Sequence, residues 1–192
     1  MKRINSNKGF MKEVQEEFLT LYQSIHESFA RFCHARAYGL MDPEDLISES
    51  VLRALENFDK LRNKEAFLSF MFSIAKNIVN SKHRRVKFKG NYNENYVNTI
   101  PDEGIDAEAR YDVVILYEAL NKLPKQQKEA LILFEISGFS INEVAEIQNS
   151  GVSAVKQRLK RGRENLAKQF KSDQLKQETI GTRSSILMSM FL

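Results

Sequence analysis

Five basic side chains follow one another over a short stretch in the last third of the chain. Val155 and Leu159 lie beside and among them, and a spacing of four residues places these two on one face of a helix. Such a helix packs through its apolar face and presents positive charge on the other, where nucleic-acid phosphates are the natural partners. The five cations are Lys156, Arg158, Lys160, Arg161 and Arg163.

A shorter helix is predicted immediately before the basic one. Ser140 and Glu143 have the spacing of a capping box, in which each side chain bonds the other residue's main-chain N–H. The Asn-Ser-Gly stretch at 149–151 predicts a tight turn, because Asn and Gly tolerate positive φ. Ser153 is expected to cap the basic helix. The pattern is typical of a helix-turn-helix that enters the DNA major groove. A helical hairpin with a solvated basic face is the alternative.

The net charge of the chain is small, with 29 Lys+Arg against 25 Asp+Glu, but the charges are distributed unevenly along the sequence. No carboxylate occurs between Ala66 and Asn93, a stretch that begins with three closely spaced phenylalanines. Aromatic rings beside cations suit single-stranded nucleic acid, since bases stack on the rings and phosphates pair with the charge. Core packing is the alternative, and we expect it for at least two of Phe67, Phe70 and Phe72.

Apolar spacing predicts three helices in the first half, at about 11–36, 42–58 and 66–85. Asp42 followed by Pro43 is a strong helix start, because the Asp caps and Pro suits the first helical position. We predict an all-α fold of two small helical domains on a flexible linker. The predicted boundaries are 10–88 for the first domain, 89–105 for the linker, 106–171 for the second domain and 172–192 for a tail of unknown role.

Catalytic patterns are absent from the sequence, and we expect neither an enzyme nor a cofactor or metal site. His26, Cys33 and His34 have spacings that do not converge on one ion, and no Gly-rich phosphate loop is present. A single cysteine excludes a disulfide framework and fits a reducing cytosol. No apolar run has the length of a membrane span, and the polar N-terminal segment is unlike a secretory signal. A cytoplasmic protein without membrane insertion is therefore expected.

Four segments together resemble a bacterial RNA polymerase sigma factor of the extracytoplasmic-function class, a branch of the sigma-70 family. Two are DPEDLISESVLRALENF and FLSFMFSIAKNIVNSKHRR, which resemble region two of these factors. Two are LNKLPKQQKEALILFEISGFSINEVAEI and VKQRLKRGRENL, which resemble region four. The resemblance implies a transcription initiation factor with core RNA polymerase as partner, bound through its β′ clamp helices and β flap. It also implies promoter DNA as a partner, and an anti-sigma factor as a possible one.

The resemblance assigns roles to three sets of residues. The polymerase-binding set is Asp45, Leu46, Ser48, Glu49 and Arg53. The set for promoter melting and the minus-ten element is Phe70, Asn77, Asn80, Ser81, Arg84 and Arg85. The set for the duplex minus-thirty-five element is Ser153, Ala154, Lys156, Gln157, Arg158, Lys160 and Arg161.

Some positions depart from the family pattern. Phe70 stands where many relatives carry Trp, Ser81 where Asp is usual, and Ser153-Ala154 where Gly-Thr is usual. Two other functions stay open from the sequence. One is a stand-alone helix-turn-helix regulator whose first half dimerises or senses a signal. The other is an adaptor that binds polymerase or another factor but no DNA.

Overall fold

The computed structural model describes residues 2–89 and 107–177, and side-chain surroundings over 12–86 and 111–171. Every regular element in these ranges is helical, which confirms the all-α fold. Residues 90–105 of the predicted linker and 178–192 of the predicted tail lie outside the described residues, whereas residues 172–177 continue the last helix rather than starting a separate tail. The helices are α1 (Lys2–Ala37), α2 (Pro43–Glu56), α3 (Phe67–Lys89), α4 (Ala107–Asn121), α5 (Lys125–Leu131), α6 (Ile141–Ile147) and α7 (Val152–Gln177).

The described helices fall into two compact units, α1–α3 and α4–α7. In the first unit all three helices pack on one another. Its core is aromatic: Phe18, Phe58 and Phe67 meet edge to face, with ring centroids 5.4–5.9 Å apart. A second group joins Phe29 to Phe72 at 5.3 Å. Such pairs add roughly 0.5–1.5 kcal/mol each beyond burial, so the core holds the helices in a defined arrangement.

The start of α2 agrees with the sequence prediction. The Asp42 carboxylate accepts hydrogen bonds from the main-chain N–H of Glu44 at 2.8 Å and Asp45 at 3.4 Å, and Pro43 is the first helical residue. Two short 3-10 turns, Phe58–Lys60 and Lys64–Ala66, then connect α2 to α3. The segment from Asn57 to Ala66 is called here the connecting loop.

The second unit packs α5 and α6 against α7. Ser140 and Glu143 form the predicted capping box at the start of α6. Between α5 and α6 the chain makes a π-helical turn, Ile132–Ile136. The Ser137 N–H and its hydroxyl both donate to the Ile132 carbonyl, at 2.8 and 2.9 Å. This buried side-chain hydrogen bond stabilises the wider turn.

Two predicted helix starts are wrong. The first helix begins at Lys2 rather than near Met11. The basic helix begins at Val152, so Ser153 lies inside its first turn and does not cap it. The reason is that the N–H groups of Ala154 and Val155 already bond to the Gly151 carbonyl, at 3.0 and 3.2 Å, which closes the turn two residues earlier.

Gly162 allows α5 and α7 to approach closely. A Cβ atom added there would lie 2.9 Å from Leu131 Cδ1 and 3.6 Å from Gln127 Cβ. Because Leu131 is fully buried, it has little room to move. We expect Gly162→Val to lower the free energy of unfolding by about 1–3 kcal/mol, as overpacking does. Thermal unfolding checks this, with Lys168→Val on the exposed side of α7 as control. Equal stability of the two variants would contradict a tight contact.

Candidate functional site

The outer side of α7 carries most of the predicted duplex-binding residues. Ser153, Lys156, Gln157, Lys160 and Arg161 are all exposed, and they are called here the reading face. Val155 and Leu159 are buried on the opposite side of the same helix. Because the two sets share one helix, burial of the apolar residues directs the cations and Gln157 outward.

Two of the five cations between Lys156 and Arg163 are engaged within the unit. Arg158 is half-buried and donates from Nη1 to the Gln148 side-chain carbonyl at 2.7 Å and to the Ser150 hydroxyl at 2.8 Å. Arg163 donates from Nε and Nη2 to Glu135 Oε1, at 2.8 and 2.6 Å. Ala154 is half-buried. The structure therefore brings Arg158 and Ala154 close to the reading face without placing them fully on it.

In α3 the three phenylalanines divide as predicted. Phe67 and Phe72 are in the core, at 3% and 1% exposure, so the expectation that at least two pack inside is confirmed. Phe70 is half-buried and reaches the surface. The predicted polar residues follow it along the helix: Asn77, Arg84 and Arg85 are exposed, and Asn80 and Ser81 are half-buried.

Phe70 and Asn77 line a cavity of about 420 Å³ between α2, the connecting loop and α3. Its walls combine an aromatic ring, two aliphatic side chains, two amides and two cations. This mixture offers an unstacked base a ring to stack on, amides for its edge, and positive charge for the phosphates beside it. The lining residues are Arg53, Asn57, Lys60, Leu61, Phe70, Ile74 and Asn77.

Several contacts hold the connecting loop in place beside this cavity. Asn57 donates to the Arg53 carbonyl at 2.8 Å and accepts from Lys60 Nζ at 2.7 Å. Lys64 Nζ lies 3.4 Å from the Phe58 ring centroid and 3.2 Å from Glu17 Oε2. Because Phe58 is fully buried, these contacts hold the loop against the core of the unit.

The outer face of α2 carries acidic side chains around one exposed leucine. Asp45 and Ser48 are exposed, and Glu49 is paired with Arg53 at 2.5 Å. Leu52, at 57% exposure, lies on the same side of the helix. Sequence reasoning missed Leu52 because spacing alone does not separate a surface leucine from the core leucines beside it. The face from Asp45 to Leu52 is called here the α2 face.

Two predicted polymerase-binding residues lie elsewhere. Leu46 is fully buried, so it supports α2 from within and is not on the surface. Arg53 pairs with Glu49 but also lines the cavity, which places it between the α2 face and the α3 residues. The residues assigned from the sequence do not include Asn57, Lys60, Leu61 or Ile74, which also line the cavity.

The His and Cys residues of α1 take part in local contacts. His26 Nδ1 lies 3.1 Å from the Tyr22 hydroxyl, and His34 Nε2 lies 3.6 Å from Glu44. Burial, with smaller effects from Cys33 and Glu44, raises the pKa of Tyr22 to about 12. Burial also raises the pKa of the Cys33 thiol, which makes it a poor nucleophile. Among the side chains described, no three His, Cys, Asp or Glu residues converge on a metal site.

Family models match both units. Residues 21–88 match the model of sigma-70 region 2, and residues 114–166 match that of sigma-70 region 4. The chain is 32% identical over 126 residues to the ECF RNA polymerase sigma factor EcfG of Rhodopseudomonas palustris, covering 65% of this chain and 68% of that one. The chain belongs to the ECF class of the sigma-70 family. Both regions in one chain favour a sigma factor over a stand-alone helix-turn-helix regulator.

Other similar proteins agree with this assignment. The sigma factor SigW of Bacillus subtilis is 27% identical over 179 residues, covering 85% of this chain and 94% of that one. Among solved structures, the sigma factor RpoE of Bartonella quintana, in complex with the anti-sigma factor NepR, aligns with a TM-score of 0.59. It is 26% identical and covers 84% of this chain and 99% of that one. Sigma factors are generally non-enzymatic DNA-binding regulators. No helix in the described parts of this one is long and apolar enough to cross a membrane.

Proposed function

We propose that this sigma factor binds core RNA polymerase, directs it to specific promoters and helps to separate the DNA strands. The proposal is supported mainly by the match of both sigma regions in one chain. Each surface has one proposed role. The α2 face binds the polymerase β′ clamp helices. The cavity and α3 hold the unpaired minus-ten strand, and the reading face of α7 contacts the minus-thirty-five duplex.

We propose the following domain division. Residues 10–88 act as region two and 106–171 as region four, with 89–105 as a linker and 172–192 as a tail. The protein works in the cytoplasm with polymerase and contributes no catalysis of its own. The second unit is also proposed to contact the β flap. An anti-sigma factor is a proposed further partner, since the similar sigma factor of Bartonella quintana is solved with one.

Leu52 provides a test of the α2 face. An exposed leucine within a polar face can act as the apolar anchor of an interface, whose buried centre is more apolar than its rim. We expect Leu52→Ala to weaken binding of core polymerase by roughly tenfold, because anchor residues cost about 1–2 kcal/mol or more when truncated. Leu19→Ala on α1 is the matched control, since Leu19 is exposed to a similar extent, 52% against 57%. If both variants bind polymerase like the parent chain, Leu52 is not part of the interface.

Phe70 provides a test of strand capture. Stacking of one base on an aromatic ring contributes about 1–3 kcal/mol, so we expect Phe70→Ala to weaken capture of the unpaired strand by roughly tenfold or more. The measurement is binding of the assembled polymerase complex to a single-stranded oligonucleotide that carries the minus-ten sequence. Phe134→Ala, a half-buried phenylalanine of the second unit, is the control. Equal binding by both variants would remove Phe70 from the site.

A matched pair of cations in the connecting loop tests the cavity itself. Lys60 lines the cavity, whereas Arg62 is exposed in the same loop and does not. If the cavity holds nucleic acid, Lys60→Ala will weaken binding of the minus-ten oligonucleotide several-fold more than Arg62→Ala. A similar loss from both would indicate general attraction by loop charge and would contradict a defined pocket.

A further inference from the structure

Arg158 occupies the centre of a hydrogen-bond chain that joins four parts of the second unit. Its Nη1 donates to Gln148, which ends α6, and to Ser150 in the turn, at 2.7 and 2.8 Å. Gln148 Nε2 in turn donates to the Gln126 carbonyl in α5 at 3.2 Å. The Gln148 amide thus donates through nitrogen and accepts through oxygen, so both ends of the side chain are engaged consistently.

The turn between α6 and α7 needs this support. Helix α6 has only seven residues, and the turn after it passes through Asn149, whose φ of +45° is one that Asn tolerates. Apolar contacts hold α7 through Val155 and Leu159, but such contacts allow some rotation about the helix axis. The directional hydrogen bonds of Arg158 restrict that rotation.

We infer that Arg158 is a positioning residue, which sets the angle of α7 and so the placement of the reading face against DNA. The inference rests on the proposed promoter-binding function and refines it. Both hydrogens of Nη1 are directed at protein acceptors, so this nitrogen does not read a base. Sequence readout then belongs to the exposed neighbours of Arg158 on α7.

Three roles for a basic side chain give different results when it is replaced. Loss of a base reader relaxes preference at one base pair. Loss of a phosphate contact weakens all sequences and reduces the slope of log K against log salt by about 0.9. Loss of a positioning residue weakens binding while the salt slope stays unchanged, because no phosphate contact is removed. The substituent matters too: a phosphate contact tolerates lysine, whereas two fixed acceptors require the longer planar guanidinium.

The experiment uses the full chain assembled with core polymerase. The probe is a promoter library with a fixed minus-ten element and a randomised minus-thirty-five element, titrated with salt. For Arg158→Ala we expect roughly tenfold weaker binding to the preferred elements, about the effect of losing one base contact, because the reading face is then held at a less favourable angle. The salt slope should be unchanged, and Arg158→Lys should not restore binding. Gln148→Ala should weaken binding similarly, and the double variant should be no weaker than Arg158→Ala alone.

Circular dichroism at the assay temperature establishes that each variant is folded, and Lys168→Ala serves as a control for loss of one positive charge on the same helix. A reduced salt slope, rescue by lysine, changed preference at one base pair, or unchanged binding would each overturn the positioning role. Failure of the proposed function gives a different result. In that case the unmodified protein itself would show no preference within the randomised element.

Discussion

Charge reversal of Asp45 and Glu49 together, to lysine, is expected to weaken binding of core polymerase by at least about 100-fold. The physical reason is that each reversal replaces an attraction with a repulsion at the α2 face, and losing one partner of a desolvated charge pair costs about 2–5 kcal/mol. Glu49 also loses its ion pair with Arg53, but exposed helical pairs contribute only about 0.3–0.5 kcal/mol. The fold should therefore survive, and co-purification with polymerase measures the effect.

Glu13 and Glu16 on α1 offer a matched control. Both are exposed, and Glu16 pairs with Lys12 four residues earlier, as Glu49 pairs with Arg53 four residues later. Their double reversal changes the net charge equally and should leave polymerase binding within about twofold, as expected for surface charges away from an interface. Equal losses from the two double variants would show that total charge, and not the α2 face, determines binding.

Replacement of Arg161 by alanine is expected to change which promoters the polymerase complex selects. Arg161 is exposed on the reading face, next to the half-buried Arg158. A side chain that reads a base edge contributes about 1–3 kcal/mol of discrimination, so preference at one base pair should relax by roughly five- to 150-fold. Sequencing of bound members of a randomised minus-thirty-five library measures this preference.

Lys168→Ala is the control for Arg161, because it removes one positive charge from an exposed position further along α7. It should leave base preference unchanged. If Arg161→Ala instead weakens all sequences alike and lowers the salt slope, Arg161 contacts a phosphate and the base-reading role is wrong, although DNA binding by α7 would stand.

Local features of the fold follow from the sequence more closely than tertiary ones. The caps at Asp42 and Ser140 are determined within four residues, and the structure confirms both. The start of α7 differs from the prediction because Gly151 closes the first turn with its main-chain carbonyl. Any residue can supply a main-chain carbonyl, so the pattern of capping side chains does not predict where this helix begins.

The functional surfaces depend on contacts that spacing does not encode. The cavity is lined by Asn57 of the connecting loop and by Asn77 of α3, which lie twenty residues apart in the sequence. In the sequence Arg158 is one of several cations on a basic helix. In the structure its guanidinium is directed at Gln148, because α6 crosses α7 there. Similarly, the high exposure of Leu52 is a property of how α2 packs on α1 and α3.

Run-off transcription tests whether this chain directs core polymerase to specific promoters. Purified core polymerase is combined with the full chain on a library of genomic fragments, and transcript starts are mapped with and without the chain. We expect new, discrete start sites that depend on the chain and that disappear with the Asp45 and Glu49 double reversal. Transcripts that are the same with and without the chain, from a polymerase preparation active with another sigma factor, would contradict the assignment of promoter recognition to this protein.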